Sequence, residues 1–87
     1  MRIGIHPHAL KHGLTPEQIV RAVETGIDAA QIRNRDQNTD PQRWGVIGFD
    51  NTAREIQLVI IHTTDGVLVI HANYLTEGFR KEMRNAR

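Results

Sequence analysis

Eighty-seven residues, 39% hydrophobic and 24% charged, suit one small globular domain and exclude folds that need roughly 200 residues or more, such as the eight-stranded α/β barrel. A chain without cysteine has neither a disulfide framework nor a thiolate zinc site. Eleven Lys and Arg against ten Asp and Glu, a formal charge of +1 with five histidines in reserve, are too balanced to announce a nucleic-acid partner by themselves.

Apolar runs such as 58–61 fall far short of the ~20 residues that cross a bilayer, and the first residues lack the apolar core of a secretory signal. The expectation is a cytoplasmic, soluble protein folded as one domain over 1–87, with no membrane partner.

Arg2-Ile3-Gly4-Ile5-His6 alternates, with Ile3 and Ile5 on one face, and predicts a short strand that Gly4 weakens. Pro7 opens a helical turn over 7–12, closed by Gly13. The strongest local signal follows at Leu14-Thr15-Pro16-Glu17-Gln18-Ile19. Thr15 is an N-cap, Pro16 takes the first helical position, Gln18 completes a capping box, and Leu14 with Ile19 forms a hydrophobic staple. Ile19, Val20, Val23 and Ile27 then trace an apolar stripe, with Gly26 near the stop, and predict a helix over 16–25.

Residues 30–43 hold three Arg, two Asp, two Asn and three Gln. So little of this stretch can be buried that it reads as a mobile loop of functional type, extended at most around 31–33. From Arg43 the pattern changes to strands over 44–49, Glu55–Thr63 and 67–74, with a turn at Asp50-Asn51-Thr52-Ala53 and a tight hairpin at Thr64-Asp65-Gly66. Trp44 reads as a core anchor. Thr76 caps a last helix to about residue 85, with Phe79 and Met83 on its buried side.

Strand parity adds a conditional constraint. A hairpin loop of even length groups Ile56, Leu58, Ile60 and His62 with Val67, Val69, His71 and Asn73 on one face. Gln57, Val59 and Ile61 then share the other with Leu68, Ile70, Ala72 and Tyr74.

Charge is unevenly spread. Residues 1–12 carry Arg2, Lys11, His6, His8 and His12 with no acid, and the tail carries Arg80, Lys81, Arg84 and Arg87 against Glu77 and Glu82. If the two ends meet, they form a basic patch. The chain has no G-x-S-x-G elbow and no phosphate-binding glycine loop, which removes a serine nucleophile and P-loop chemistry. RNA cleavage by side chains alone stays open. It needs one group to take the 2′-OH proton, one to protonate the leaving oxygen, and cations near the phosphorane. His8, Lys11, His12, His62, His71, Tyr74, Arg80 and Lys81 are the residue types for those tasks. His71 has a plainer reading as a core histidine with backbone partners.

Lys11-His12-Gly13-Leu14 before the capped helix, and Arg43-Trp44-Gly45-Val46-Ile47-Gly48 entering a sheet, resemble the BrnT family of toxins within the RelE-like ribonuclease group of type II toxin–antitoxin systems. The resemblance continues through the hydrophobic strand at 56–61, the Asp65-Gly66 turn, Ile70-His71-Ala72 and the basic helix with Phe79-Arg80-Lys81-Glu82. It covers nearly the whole chain, and the order of the motifs carries it. His8-Ala9 with Gly13-Leu14-Thr15 also resembles the start of a related small family of unknown function. The chain departs from the toxin pattern at Asn73, where that family has an arginine, and at Phe79-Arg80, where Glu-Arg is usual.

The resemblance implies an α+β fold: a small antiparallel sheet of three or four strands, two N-terminal helices and one C-terminal helix, with the helices on one side. It implies a ribonuclease toxin that needs no metal or other cofactor. Its partners would be RNA, on or off a ribosome, and a cognate antitoxin protein. Lys11, His12, His71 and Arg80 are the catalytic candidates on that reading: Lys11 and His12 as cationic or acid/base groups, His71 as the general acid/base, Arg80 on the phosphate. Arg43 and Lys81 would contact RNA, with Asn73 and Tyr74 positioning it. Two other readings compete. One is a non-catalytic relative that serves as a protein-interaction module; the other is a metal site on His6, His8 and His12.

Overall fold

The computed structural model describes residues 1–36 and 40–86. Arg87 of the basic tail and positions 37–39 of the predicted loop lie outside them. The elements in chain order are strand β1 (Arg2–Ile5), a 3₁₀ turn (Pro7–Leu10), helix α1 (Pro16–Asp28), and strands β2 (Ile32–Asp36), β3 (Arg43–Phe49), β4 (Glu55–Thr63) and β5 (Gly66–Tyr74); helix α2 (Glu77–Asn85) closes the chain.

Helix α1 starts as its sequence dictates. Thr15 Oγ1 accepts from Gln18 N at 3.2 Å, and Gln18 Oε1 accepts from Thr15 N at 2.9 Å, a complete capping box. Leu14 and Ile19, the two staple residues, are both buried in the main core. The helix runs to Asp28, past the expected stop. Gly26 does not end it; the missing side chain lets the helix approach β3, because a Cβ there would lie 2.5 Å from Val46 Cγ1 and 2.8 Å from Ile47 O.

The five strands form one sheet in the order β1-β5-β4-β3-β2, with β1 parallel to β5 and every other pair antiparallel. This corrects the expected architecture in three respects. The sheet is mixed and has five strands rather than three or four antiparallel ones. The predicted first helix is only a 3₁₀ turn that ends before Lys11, so α1 and α2 are the two α-helices among the described residues. The helices also lie on both faces: α1 and the turn cover Val46, Ile56, Leu58, Ile60, Val67 and Val69, whereas Phe79 and Met83 of α2 pack on Val59 from the other side.

The missed strand is β2. Apart from Ile32, its residues are polar (Arg33, Asn34, Arg35, Asp36) and it lies at the sheet edge. Edge strands are held by backbone bonds to one neighbour and tolerate charged side chains, so apolar alternation does not mark them. At the other edge Ile3 and Ile5 stand opposite Val67 and Val69, which turns both toward the α1 core. Trp44 is half-buried against the same core and meets His62 edge-on at 5.3 Å between ring centres.

The hairpin loop is Thr64-Asp65, since Thr63 pairs with Gly66. Parity therefore holds for Ile56, Leu58, Ile60 and His62 beside Val67 and Val69, and then breaks. Ile60 faces Val69 but Val59 faces His71, so β5 carries one extra residue. This β-bulge shifts the phase of the strand. Ala72 and Tyr74 join the α1 face, while His71 and Asn73 stand opposite Val59 and Gln57 on the α2 face. A second bulge lies between Asn34 and Asp36 of β2, at Arg35.

The β3–β4 turn is tied to α1 through Asp50, one of the buried polar residues. Its Oδ1 accepts from Thr52 N (2.9 Å), Thr52 Oγ1 (2.8 Å) and Arg54 N (3.0 Å), and its Oδ2 accepts from Gln18 Nε2 (3.1 Å). Burial pushes the carboxyl up, but hydrogen bonds from Arg54, Gln18 and Thr52 outweigh it and hold the pKa at about 2, below the ordinary 3.8. A depressed carboxylate stabilises the fold above its unfolded pKa, and that contribution is lost as the pH falls through about 2. Asp50→Asn is therefore expected to lower the thermal midpoint at pH 7, with the gap to wild type closing between pH 3.8 and about 2. Thermal melts across that range check it; a gap independent of pH would contradict it.

No helix among the described residues is long and apolar enough to cross a membrane.

Candidate functional site

The α2 face of the sheet is only partly covered. Beside the helix a groove of about 570 Å³ remains open, and every strand or its end contributes to its lining. Gln57 and Val59 of β4 and Ile70 and His71 of β5 line it together with Arg35 of β2 and Arg43 of β3. His6 and His8 come from the end of β1 and the 3₁₀ turn; Thr76, Phe79 and Glu82 come from the capped start and body of α2. The size is that of a small-ligand or nucleotide site.

Each polar group has a local reason to be there. His71 and Ile70 both reach this face because of the β5 bulge. Arg35 reaches it at the β2 bulge, where its guanidinium lies 5.5 Å from the Phe79 ring centre and pairs with Glu82 at 2.9 Å. His6 ends β1 and caps the turn, its Nδ1 accepting from His8 N at 3.1 Å. The two rings stack edge to face at 5.1 Å. Gln57 and Thr76 form a hydrogen-bonded chain into His71: Thr76 N and Oγ1 each lie 2.9 Å from Gln57 Oε1, and Gln57 Nε2 lies 3.0 Å from His71 Nε2.

Lys11 and His12 follow the turn; both are exposed and outside the groove lining, yet near enough to His71 to act on its charge. The His12 ring is 5.6 Å from the His71 ring, edge to face. Burial pulls the His71 pKa below its ordinary 6.5, and the charges of His12, Arg35 and Lys11 pull it further the same way. His71 is thus a neutral ring at pH 7 within a cationic surround. That arrangement differs from a core histidine satisfied by backbone, because its hydrogen-bond partner is the Gln57 side chain and Arg35, Arg43 and Lys11 lie around it.

Of the residues expected at the site, the fold brings together Lys11, His12, His71 and Arg43. Arg80 is elsewhere: its Nη2 lies 2.8 Å from Glu55 Oε1, and it lines two other concavities, one with Arg54 and Tyr74, the other with Arg33 and Arg84. Tyr74 lies on the opposite face, its hydroxyl 3.3 Å from Gln18 Nε2 and the Arg54 guanidinium 3.9 Å above its ring. Asn73 shares the His71 face, but its Oδ1 accepts from Tyr74 N at 2.8 Å and it does not line the groove. Lys81 is exposed on α2, away from the groove lining.

The sequence reading missed Arg35, Gln57, Thr76 and Glu82. Arg35 was hidden in an apparent loop. Gln57, buried within an apolar strand, was the one available signal, because a buried amide needs partners. The metal reading on His6, His8 and His12 finds little in the geometry, since the 3₁₀ turn ends at Leu10 and no helix carries His8 and His12 on one face. Among the described residues no three His, Asp or Glu side chains are placed to hold one ion.

Comparison with protein-family models, curated proteins and solved structures finds no match for the chain.

Proposed function

We propose that the groove binds single-stranded RNA and that its histidines and cations cleave the phosphodiester without a metal, as the toxin of a toxin–antitoxin pair. The observation that carries this reading is the edge-to-face pair of His12 and a neutral His71, 5.6 Å apart, among Lys11, Arg35 and Arg43. These are the groups that 2′-OH chemistry needs: imidazoles, which can accept and donate protons, and cations for the charge that grows on the phosphorane. In the reaction the 2′-oxygen bonds to phosphorus as the bond from phosphorus to the 5′-oxygen breaks. The 2′-OH proton passes to an imidazole, and the departing 5′-oxygen takes a proton from an imidazolium or from the Lys11 ammonium. The products are a 2′,3′-cyclic phosphate and a 5′-hydroxyl.

The role of toxin, and an antitoxin protein as partner, rest on the motif resemblance alone. The antiparallel, one-sided fold which that resemblance implied is not part of the proposal.

Incubating the purified chain with single-stranded RNA in EDTA is expected to yield ends with cyclic phosphate. Arg35→Ala is expected to weaken RNA binding and to flatten its dependence on salt by about one counterion, the loss of one phosphate contact. Intact RNA, with no growth arrest on induced expression, would favour the protein-interaction module.

A further inference from the structure

We propose that Gln57 and Thr76 are positioning residues which hold His71 as the neutral tautomer with its proton on Nδ1, so that His12 is the ring that accepts the 2′-OH proton. The role given to His12 rests on the RNA-cleaving reading; the state of His71 does not.

The hydrogen bonds determine the tautomer. Thr76 N and Thr76 Oγ1 both lie 2.9 Å from the same Gln57 atom. A backbone N–H only donates, so that atom is the amide oxygen. Thr76 Oγ1 in turn accepts from Phe79 N at 3.2 Å as the N-cap of α2, which leaves the hydroxyl proton for Gln57. With the oxygen committed to Thr76, the Gln57 NH₂ faces His71 Nε2 at 3.0 Å. Two donors cannot share a hydrogen bond, so Nε2 is the bare nitrogen and the proton sits on Nδ1.

The surroundings act in the same direction. Lys11 and His12 after the 3₁₀ turn, His6 at its N-cap and His8 within it, Arg35 of β2 and Arg43 of β3 are all cationic or able to become so. Glu82 of α2 is the acidic side chain lining the groove, and it is paired with Arg35. Protonating His71 would set a second donor against Gln57 in this company. His71 therefore serves as a donor from Nδ1 to a phosphate oxygen, and proton exchange falls to His12, whose ring makes no hydrogen bond among the described residues.

Nitrogen NMR of the labelled chain reads the tautomer directly, with or without activity. The expected wild-type result is a neutral His71 protonated on Nδ1 at pH 7. Gln57→Glu keeps both bonds from Thr76 but offers a carboxylate to Nε2. It should move the proton to Nε2, raise the His71 midpoint, and slow cleavage about 100-fold with KM little changed. Unfolding curves of Gln57→Glu that overlay those of wild type separate positioning from a loss of folding. A wild-type ring protonated on Nε2, or an unaltered tautomer in Gln57→Glu, would overturn the proposal. The expected tautomers in a chain that leaves RNA intact would uphold the placement of His71 and defeat the roles in cleavage.

Discussion

His71→Ala is expected to lower RNA cleavage about 10²- to 10⁴-fold, the span that a positioned proton-transfer or charge-stabilising group contributes, and to leave the fold intact. The fold should survive because His71 lines an open groove and is only half-buried, with one side-chain hydrogen bond to Gln57. His12→Ala should cost a similar factor. The double variant should lose far less than the product of the two, since residues that serve one step are not additive. The pH dependence has a definite sign. The His71 pKa is held below 6.5 by burial and by the neighbouring cations, so the neutral form needed beside Gln57 dominates at pH 7. The activity tied to it falls only as the pH drops through that depressed midpoint. Single-turnover cleavage across pH, with unfolding curves as controls, measures all of this. Arg80→Ala is the comparison. That guanidinium is engaged with Glu55 outside the groove, and exposed pairs of this kind are worth about 0–1 kcal/mol, so cleavage should be nearly unchanged. Equal losses from His71→Ala and Arg80→Ala would place the chemistry elsewhere.

Gly48→Ala is expected to be the more damaging change to the fold, costing about 3 kcal/mol or more. Gly48 stands opposite Ile56 on the α1 face of β3. A Cβ there would overlap the carbonyl oxygen of Ala22 and lie 2.6 Å from its carbon. Both are helix backbone, so no side-chain rotation relieves the clash; α1 would have to lift off the sheet. The core that this would open contains Ile19, Val23, Val46 and Ile56, all fully buried. A chain of this size has a total stability of about 4–13 kcal/mol, so one such substitution removes a large part of it. Gly78→Ala is the control. A Cβ at Gly78 meets nothing within 4 Å, the residue lies in the first turn of α2, and alanine there should stabilise by about 0.5–1 kcal/mol. Thermal and denaturant unfolding of the two variants should therefore move in opposite directions. A Gly48→Ala protein as stable as wild type would mean that α1 does not press on β3 at this point.

The elements that were legible in the sequence owe their form to interactions a few residues long. The Thr15 and Gln18 capping box, the Pro16 start, the Thr64-Asp65 hairpin and the Thr76 cap are each complete within four or five positions, and each is present. The buried stripe of Phe79 and Met83 also followed from local spacing. Strand β2 was not legible, because an edge strand takes its stability from backbone pairing with β3 and leaves little trace in its own side chains. The parallel seating of β1 beside β5 likewise depends on residues more than sixty positions apart.

The site divides along the same line. Lys11, His12, His71 and Arg43 were recognisable by residue type and motif, because chemistry is written in side chains. Their meeting was not, because it depends on one extra residue in β5. Without that bulge the period of two would turn His71 into the α1 core, the face that parity predicted. Arg35 and Gln57 belong to the site through a second bulge and through a buried amide bond to Thr76. Sequence alone therefore determined the helix caps, the hairpin and the supply of protonatable groups. Tertiary pairing decided which face those groups occupy, because the register of a strand is a property of two chains of backbone and not of one.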